Sequence, residues 1–249
     1  PHDAGNAICA DIVAAGGRAI HFPVIAFAPP ADEAAFHTAI KAVGHQDWVI
    51  FNSPQAVVAA IPAIRAVWPS LAESVRFAAV GAGTAKALNV AGYAGVLYPK
   101  DEWSSEGLLA LPEFQAVSGQ HIMVVRGEGG RQFLEKIFNE RDAVVQSCEA
   151  YQRVLPDCDP AACRQALSDQ SLQVIVAGSF ESVNNLKLLL GEDIWPILRK
   201  TPLIVMSERV EKLATELGFQ TVWATKNASR QAVLALISEK KEALCQKIK

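Results

Sequence analysis

Short apolar runs, each broken by a turn and then followed by a helical period, recur along the chain. Trp48-Val49-Ile50-Phe51 runs into Asn52-Ser53-Pro54, and Phe77-Ala78-Ala79-Val80 into Gly81-Ala82-Gly83-Thr84. Val96-Leu97-Tyr98 leads to Ser104-Ser105-Glu106, and Ile122-Met123-Val124-Val125 to Arg126-Gly127-Glu128-Gly129-Gly130-Arg131. Such runs read as buried strands, and the apolar spacing after each turn reads as an amphipathic helix. Ser53 followed by Pro54 is a helix start: the hydroxyl accepts from free N–H groups, and proline has none to leave unpaired. Further helices are predicted over Asp3 to Ala15, stopped at Gly16-Gly17, and over Glu33 to Val43, closed at Gly44. Ala19 to Phe27 and Val144 to Val154 read as longer strands that end in proline, at Pro29-Pro30 and Leu155-Pro156. Strands alternating with helices through short loops predict open, mostly parallel α/β sheets.

The pattern repeats. A displacement of 126 residues pairs Ser53 with Ser179, Val57 with Val183, Gly92 with Gly218 and Leu108-Leu109-Ala110-Leu111 with Leu234-Ala235-Leu236-Ile237. The shared order of turns and apolar runs predicts two similar α/β domains. The proline-ended strands mark the crossings between them. Residues 1–29 plus 155–249 are expected to form one discontinuous domain and residues 31–150 the other, with linkers near 26–31 and 150–156. The expected link is a two-stranded β-ladder, with a cleft between the domains. The chain opens at Pro1 on what reads as a strand-to-helix turn, so a strand is expected ahead of it.

Composition narrows the partners. Within 249 residues, 23 basic and 26 acidic residues give a net charge of −3, which provides no basic face for a nucleic-acid backbone. The five cysteines form no C-x-x-C pair, so neither a zinc cage nor a disulfide framework is expected. A cytoplasmic protein without metal or membrane partner is the reading, with monomer as the expected state.

The glycine-rich turn after Val125 suits an anion, because it opens a helix whose N–H groups and dipole point above the sheet. Gly127-x-Gly129 begins a dinucleotide fingerprint, yet Gln132 occupies the third glycine position, and no P-loop pattern occurs anywhere. Parallel strands bring their C-terminal loops to one edge, so Asn52, Ser53, Gly83, Thr84, Gly129 and Gly130 should share one rim and Ser179, Ser207 and Arg209 another. These rims offer many donors and no Ser-His-Asp order or H-E-x-x-H, which suits a ligand rich in carboxylates or phosphates. Taken singly, Ser53 and Ser179 read as helix caps, Thr84 as a packing or capping residue and Tyr151 as a structural tyrosine in its strand.

As an ordered set these residues resemble the uroporphyrinogen-III synthase family. The matching pieces are Phe51-Asn52-Ser53-Pro54, Val80-Gly81-x-x-Thr84-Ala85, Ser105-Glu106-Gly107-Leu108-Leu109, Val125 to Arg131, Tyr151-x-Arg153, Ser179-x-x-Ser182-Val183 and Ser207-x-Arg209. The resemblance implies a cofactor-free, cyclising hydro-lyase acting on hydroxymethylbilane, a linear tetrapyrrole octacarboxylate of heme biosynthesis. The enzyme would expel water and invert the terminal pyrrole. It also implies Tyr151 as the catalytic acid, and Arg126, Arg131 and Arg209 as contacts to carboxylate arms beside the backbone donors. Asn52 stands where the family often has Thr, and Ala177-Gly178 and Ser207-Glu208-Arg209 depart from its usual turns. Two rival readings are a non-catalytic two-lobe protein that binds an anionic metabolite and a nucleotide-sugar transferase with two Rossmann-like lobes.

Overall fold

The computed structural model describes residues 2–71 and 74–245. The chain runs α1 (His2–Ala14), β1 (Ala26–Ala28), α2 (Glu33–Ala42), β2 (Trp48–Phe51), α3 (Pro54–Val67), β3 (Arg76–Ala79), α4 (Ala82–Val90), α5 (Ser105–Leu109), β4 (His121–Gly127), α6 (Phe133–Glu140) and β5 (Val144–Val154). It continues with α7 (Ala161–Ser168), β6 (Ile175–Ala177), α8 (Phe180–Leu190), α9 (Trp195–Leu198), β7 (Leu203–Val205), α10 (Glu208–Leu217), β8 (Val222–Ala224), α11 (Arg230–Glu239) and α12 (Lys241–Cys245). Two compact units result, one of Pro1–Ala26 with Val154–Lys249 and one of Phe27–Arg153.

The middle unit holds a five-stranded sheet in the order β1-β5-β4-β2-β3, with β2 parallel to both β3 and β4, and β4 parallel to β5. All four residues of β2 are buried, because helices cover both faces. Val49 and Phe51 face one core with Phe36, Ile40, Ile61 and Phe77. Trp48 and Ile50 face the other with Leu108, Phe114, Leu134 and Phe138. The alternation of the strand thus divides one apolar run between two layers.

The terminal unit carries the parallel sheet β6-β7-β8 over a core that includes Val183, Leu190, Leu203, Val205 and Ala214. It repeats the middle unit's grammar. Helices α3 and α8 begin after Ser53 and Ser179, and each serine accepts a hydrogen bond from the N–H three residues on. Ala78 bridges Leu97 in parallel, and the residues 126 positions later, Ile204 and Trp223, are register partners of β7 and β8. The mostly parallel α/β class read from the strand-helix alternation is therefore what the chain adopts.

Two strands are shorter than the pattern predicts. Of Ala19 to Phe27 only the end lies within β1, Ala26–Ala28. Pro23 has no N–H for a ladder, its carbonyl oxygen accepts from Cys158 Sγ at 3.9 Å, and Val24 O accepts from Asn185 Nδ2 at 2.9 Å. Around Leu97 the expected strand is a single bridge held by Ala79 N to Leu97 O and Leu97 N to Phe77 O, at 2.8 and 3.0 Å.

The β4–β5 ladder is irregular near the C-terminal end of β4. Its register matches Arg126 with Glu149 and then Gly127 with Tyr151, so Ala150 is extra. This bulge interrupts the alternation of β5, and Ala150 and Tyr151 are both buried although adjacent.

Candidate functional site

The C-terminal ends of β2, β3 and β4 lie side by side, and the loops leaving them form a rim on the middle unit. Asn52 N donates to Val125 O at 3.1 Å, Val80 N to Phe51 O at 3.1 Å and Glu128 N to Tyr151 O at 2.8 Å. A Cβ added to Gly83 would sit 3.8 Å from Pro54 Cγ, which places the starts of α3 and α4 together. Asn52, Ser53, Gly83, Thr84, Arg126, Gly129, Gly130, Arg131 and Tyr151 are thereby gathered on one edge.

At its centre is a pair of hydroxyls. The Tyr151 phenol lies 3.1 Å from Ser53 Oγ. Ser53 Oγ also accepts from Ala56 N at 3.2 Å, so it caps α3 and touches Tyr151 at once. The capping role expected of Ser53 holds, and the pair with Tyr151 adds to it. Tyr151 is only 4% exposed, and Phe27 meets its ring edge-on at 5.3 Å between centroids. Gly127 allows this: a Cβ there would fall 2.6 Å from Tyr151 Cζ. In the sequence Gly127 reads as a turn residue, whereas in the fold its lack of a side chain makes space for the phenol ring.

Around the hydroxyl pair the backbone is short of acceptors. Helix α4 is capped by Gly81 and α6 by Gln132, neither of which supplies a side-chain cap. Their first N–H groups are left for an external partner. Gly129 has φ +67°, the left-handed conformation that glycine adopts freely. Among the described residues the N–H groups of Gly129, Gly130 and Arg131 have no backbone acceptor. Thr84 is buried in the first turn of α4, with its N–H on Gly81 O at 3.1 Å. Asn52 Oδ1 is buried without a hydrogen-bond partner among the described residues.

The basic residues behave less uniformly than expected. Arg131 is exposed, 3.3 Å from Glu106 Oε1 and over the Phe133 ring. Arg126 is 2% exposed: its Nε lies 2.8 Å from Glu135 Oε1, its Nη2 lies 3.1 Å from Glu149 Oε1, and its Nη1 donates to Gly130 O at 3.2 Å. Two carboxylates thus compensate a guanidinium withdrawn from water, an environment unlike the open one of Arg131. A rim residue that the sequence did not single out is Trp103, 66% exposed and packed on Gly81, where a Cβ would lie 3.0 Å from Trp103 Cβ. Its signal was an aromatic just before the Ser104 cap.

In the terminal unit Ser179 caps α8, accepting from Ser182 N at 3.1 Å, and Ser207 caps α10, accepting from Val210 N at 3.4 Å. Arg209 is exposed in the first turn of α10. Two partly open hollows are also present among the described residues. A cavity of about 320 Å³ below the rim is lined by Asp32, Glu128 and Glu149 against the single cation Arg126. A groove of about 700 Å³ between α10 and α11 is lined by Glu208, Glu211 and Glu239 against Lys226 and Lys240. In both, acidic residues outnumber basic ones. No helix among the described residues is long and apolar enough to cross a membrane.

Comparison with known proteins agrees with this chemistry. The family model described as "Uroporphyrinogen-III synthase HemD" matches residues 6–235. Uroporphyrinogen-III synthase of Escherichia coli K12 is 32% identical, over 94% of this chain and 96% of its own length. The Salmonella typhimurium LT2 enzyme is 31% identical over the same shares. Among solved structures, a mutant uroporphyrinogen III synthase of Thermus thermophilus superposes with TM-score 0.57 at 18% identity, covering 98% of this chain and 95% of that one. The Helicobacter pylori 26695 enzyme gives 0.57 at 14% identity, covering 90% and 93%. The extent of the family match, the relatives' identity over nearly their whole length and the shared fold establish that this chain belongs to the uroporphyrinogen-III synthase family.

Proposed function

We propose that this chain closes hydroxymethylbilane to uroporphyrinogen III, losing water and inverting the terminal pyrrole. The observation that carries the assignment of roles is the Tyr151–Ser53 hydroxyl pair, at 3.1 Å, beside helix starts and a glycine turn whose N–H groups lack acceptors. Tyr151 donates a proton to the departing hydroxyl as the pyrrole nitrogen's lone pair breaks the C–O bond, giving water, a protonated azafulvene cation and the Tyr151 phenolate, which takes up the proton released at reclosure. Ser53, anchored to the start of α3, orients the phenol. The substituted carbon of the last pyrrole attacks the azafulvene carbon to give a spiro intermediate. Fragmentation and reclosure at the ring's free position then deliver the inverted isomer with loss of a proton. No step is a net oxidation or reduction, so acid–base groups and positioning suffice.

Backbone N–H groups at Gly83, Gly129, Gly130 and Arg131, with the Arg131 side chain, hold acetate and propionate arms. Asn52, Thr84, Ser179, Ser207 and Arg209 are further proposed contacts. The open bilane also cyclises without an enzyme, but without inversion, so the protein's task is to impose geometry. Within the same proposal the enzyme is a cytoplasmic monomer, with no nucleic-acid partner; its nearly balanced charge and the free Cys9, Cys148, Cys158 and Cys163 support this. The test is incubation with hydroxymethylbilane, oxidation and chromatographic resolution of the porphyrin isomers. Type III product is expected, and type I alone would overturn the reading.

A further inference from the structure

The Arg126 guanidinium is buried between two carboxylates and two carbonyl groups, although its Nε makes no aligned hydrogen bond. Nε and Nη2 face Glu135 and Glu149 at 2.8 and 3.1 Å, and Nη1 donates to Gly130 O at 3.2 Å and Gly127 O at 3.4 Å. Glu135 comes from the first turn of α6 and accepts from Ser147 Oγ at 3.0 Å, while Glu149 sits opposite Arg126 beside the bulge that admits Tyr151. Burying such a cluster brings little stability, and apolar side chains of the same volume often do as well or better. What an apolar residue cannot do is donate to two carbonyl groups of the same turn.

Those two bonds fix two peptide planes. In a trans peptide the C=O and the N–H point in opposite directions. Tying Gly127 O to the guanidinium turns the Glu128 N–H the other way, where it donates to Tyr151 O at 2.8 Å. Tying Gly130 O likewise turns the Arg131 N–H away from the buried cluster, and that N–H has no backbone acceptor among the described residues. One side chain thus sets the direction of two N–H groups of the turn, one taken up by Tyr151 O and one free.

We propose that Arg126 is a positioning residue: locked by Glu135 and Glu149, it holds the Gly127–Gly130 turn so that the Arg131 N–H meets a substrate carboxylate in fixed relation to Tyr151. The inference rests on the synthase reading, in which a carboxylate arm binds at this turn. It replaces direct substrate contact by Arg126 with control of the backbone that makes the contact.

The test compares wild type with Arg126→Met and Arg126→Lys. Lysine keeps the charge between the two carboxylates, but its single nitrogen lacks the fork that reaches both carbonyls. Arg126→Met should raise KM for hydroxymethylbilane at least tenfold with kcat within about threefold of wild type, and Arg126→Lys should raise it about fivefold. Amide hydrogen exchange at Glu128, the N–H of this turn that is held on Tyr151 O, should quicken in both. If Arg126→Met does not fold, Arg126→Lys decides. A folded variant with wild-type KM and wild-type exchange at the turn overturns the proposal. Absence of type III product from the wild type would instead remove the synthase reading, and the exchange measurement would still decide whether Arg126 orders the turn.

Discussion

Replacing Gly127 by Ala tests whether the position of the Tyr151 ring governs turnover. The new methyl carbon would lie 2.6 Å from Cζ, 2.8 Å from Cε2 and 2.9 Å from the phenol oxygen of Tyr151. Relaxed carbon–carbon contacts lie at about 3.5–4.0 Å, so ring and strand must separate by about 1 Å. The ring cannot rotate away freely, because Phe27 meets it edge-on and Ser53 Oγ holds its hydroxyl at 3.1 Å. Overpacking of this kind costs about 1–3 kcal/mol, and at roughly 2–4 °C per kcal/mol the Tm should fall by about 2–12 °C. A displacement of about 1 Å at a proton donor should lower kcat by about a hundredfold. The control is Gly119→Ala, where φ is +73° and no atom lies within 4 Å of the added carbon. It should cost a comparable 1–2 kcal/mol, roughly, through backbone strain alone and leave kcat unchanged. Thermal melts and the rate of type III formation are measured on both. If Gly127→Ala loses stability as calculated yet keeps kcat within threefold of wild type, the placement of Tyr151 does not limit the reaction.

Tyr151→Phe keeps the ring among Phe27 and Gly127 but removes the hydroxyl. It should lower kcat at least tenfold while costing only about 1 kcal/mol for the lost bond to Ser53, and unaltered kinetics would exclude Tyr151 as the acid. Gly129→Val places a β-branched residue at φ +67°, so KM should rise as the turn changes shape, and wild-type affinity would leave the turn with no part in binding. Burial, and next to it the charge of Glu149, push the Cys148 thiol up to about 12. At pH 8 it should therefore alkylate about a thousandfold more slowly than a free thiol, with denaturant restoring the rate. The same shift carries a sign for stability: below about pH 8.5 both states keep the proton and nothing is lost. As pH rises from there towards 12 only the unfolded thiol ionises, so stability should fall by up to about 1.4 kcal/mol per pH unit. Cys148→Ala should flatten that alkaline slope in pH-dependent melts.

The strands were legible where their neighbours left no alternative. Trp48–Phe51 and Ile122–Val125 are continuous apolar runs, and such a run can be satisfied only by helices on both faces of a parallel sheet, which is where they lie. Ala19–Phe27 misled because an extended, apolar look does not ensure a partner strand, and Pro23 removes one of the needed donors. The helix starts at Ser53, Ser104, Ser179 and Ser207 were readable because a cap is a local bond, closed within three residues of the serine.

The order of residues was enough for the class of fold, its internal repeat at 126 residues and the kind of ligand, because periodicity, turn chemistry and N–H supply at helix starts are local properties. It could not tell which basic residue remains free. Arg126 and Arg131 look alike in the run from Val125 to Arg131, yet one is 2% exposed between Glu135 and Glu149 and the other lies open beside Glu106. Those partners stand 9, 23 and 25 positions away, so folding alone brings them into range. The same holds for Tyr151. Strand alternation puts it on the face of Ser147 and Glu149, and only the extra residue in β5, opposite a glycine with room for a ring, turns its phenol to Ser53.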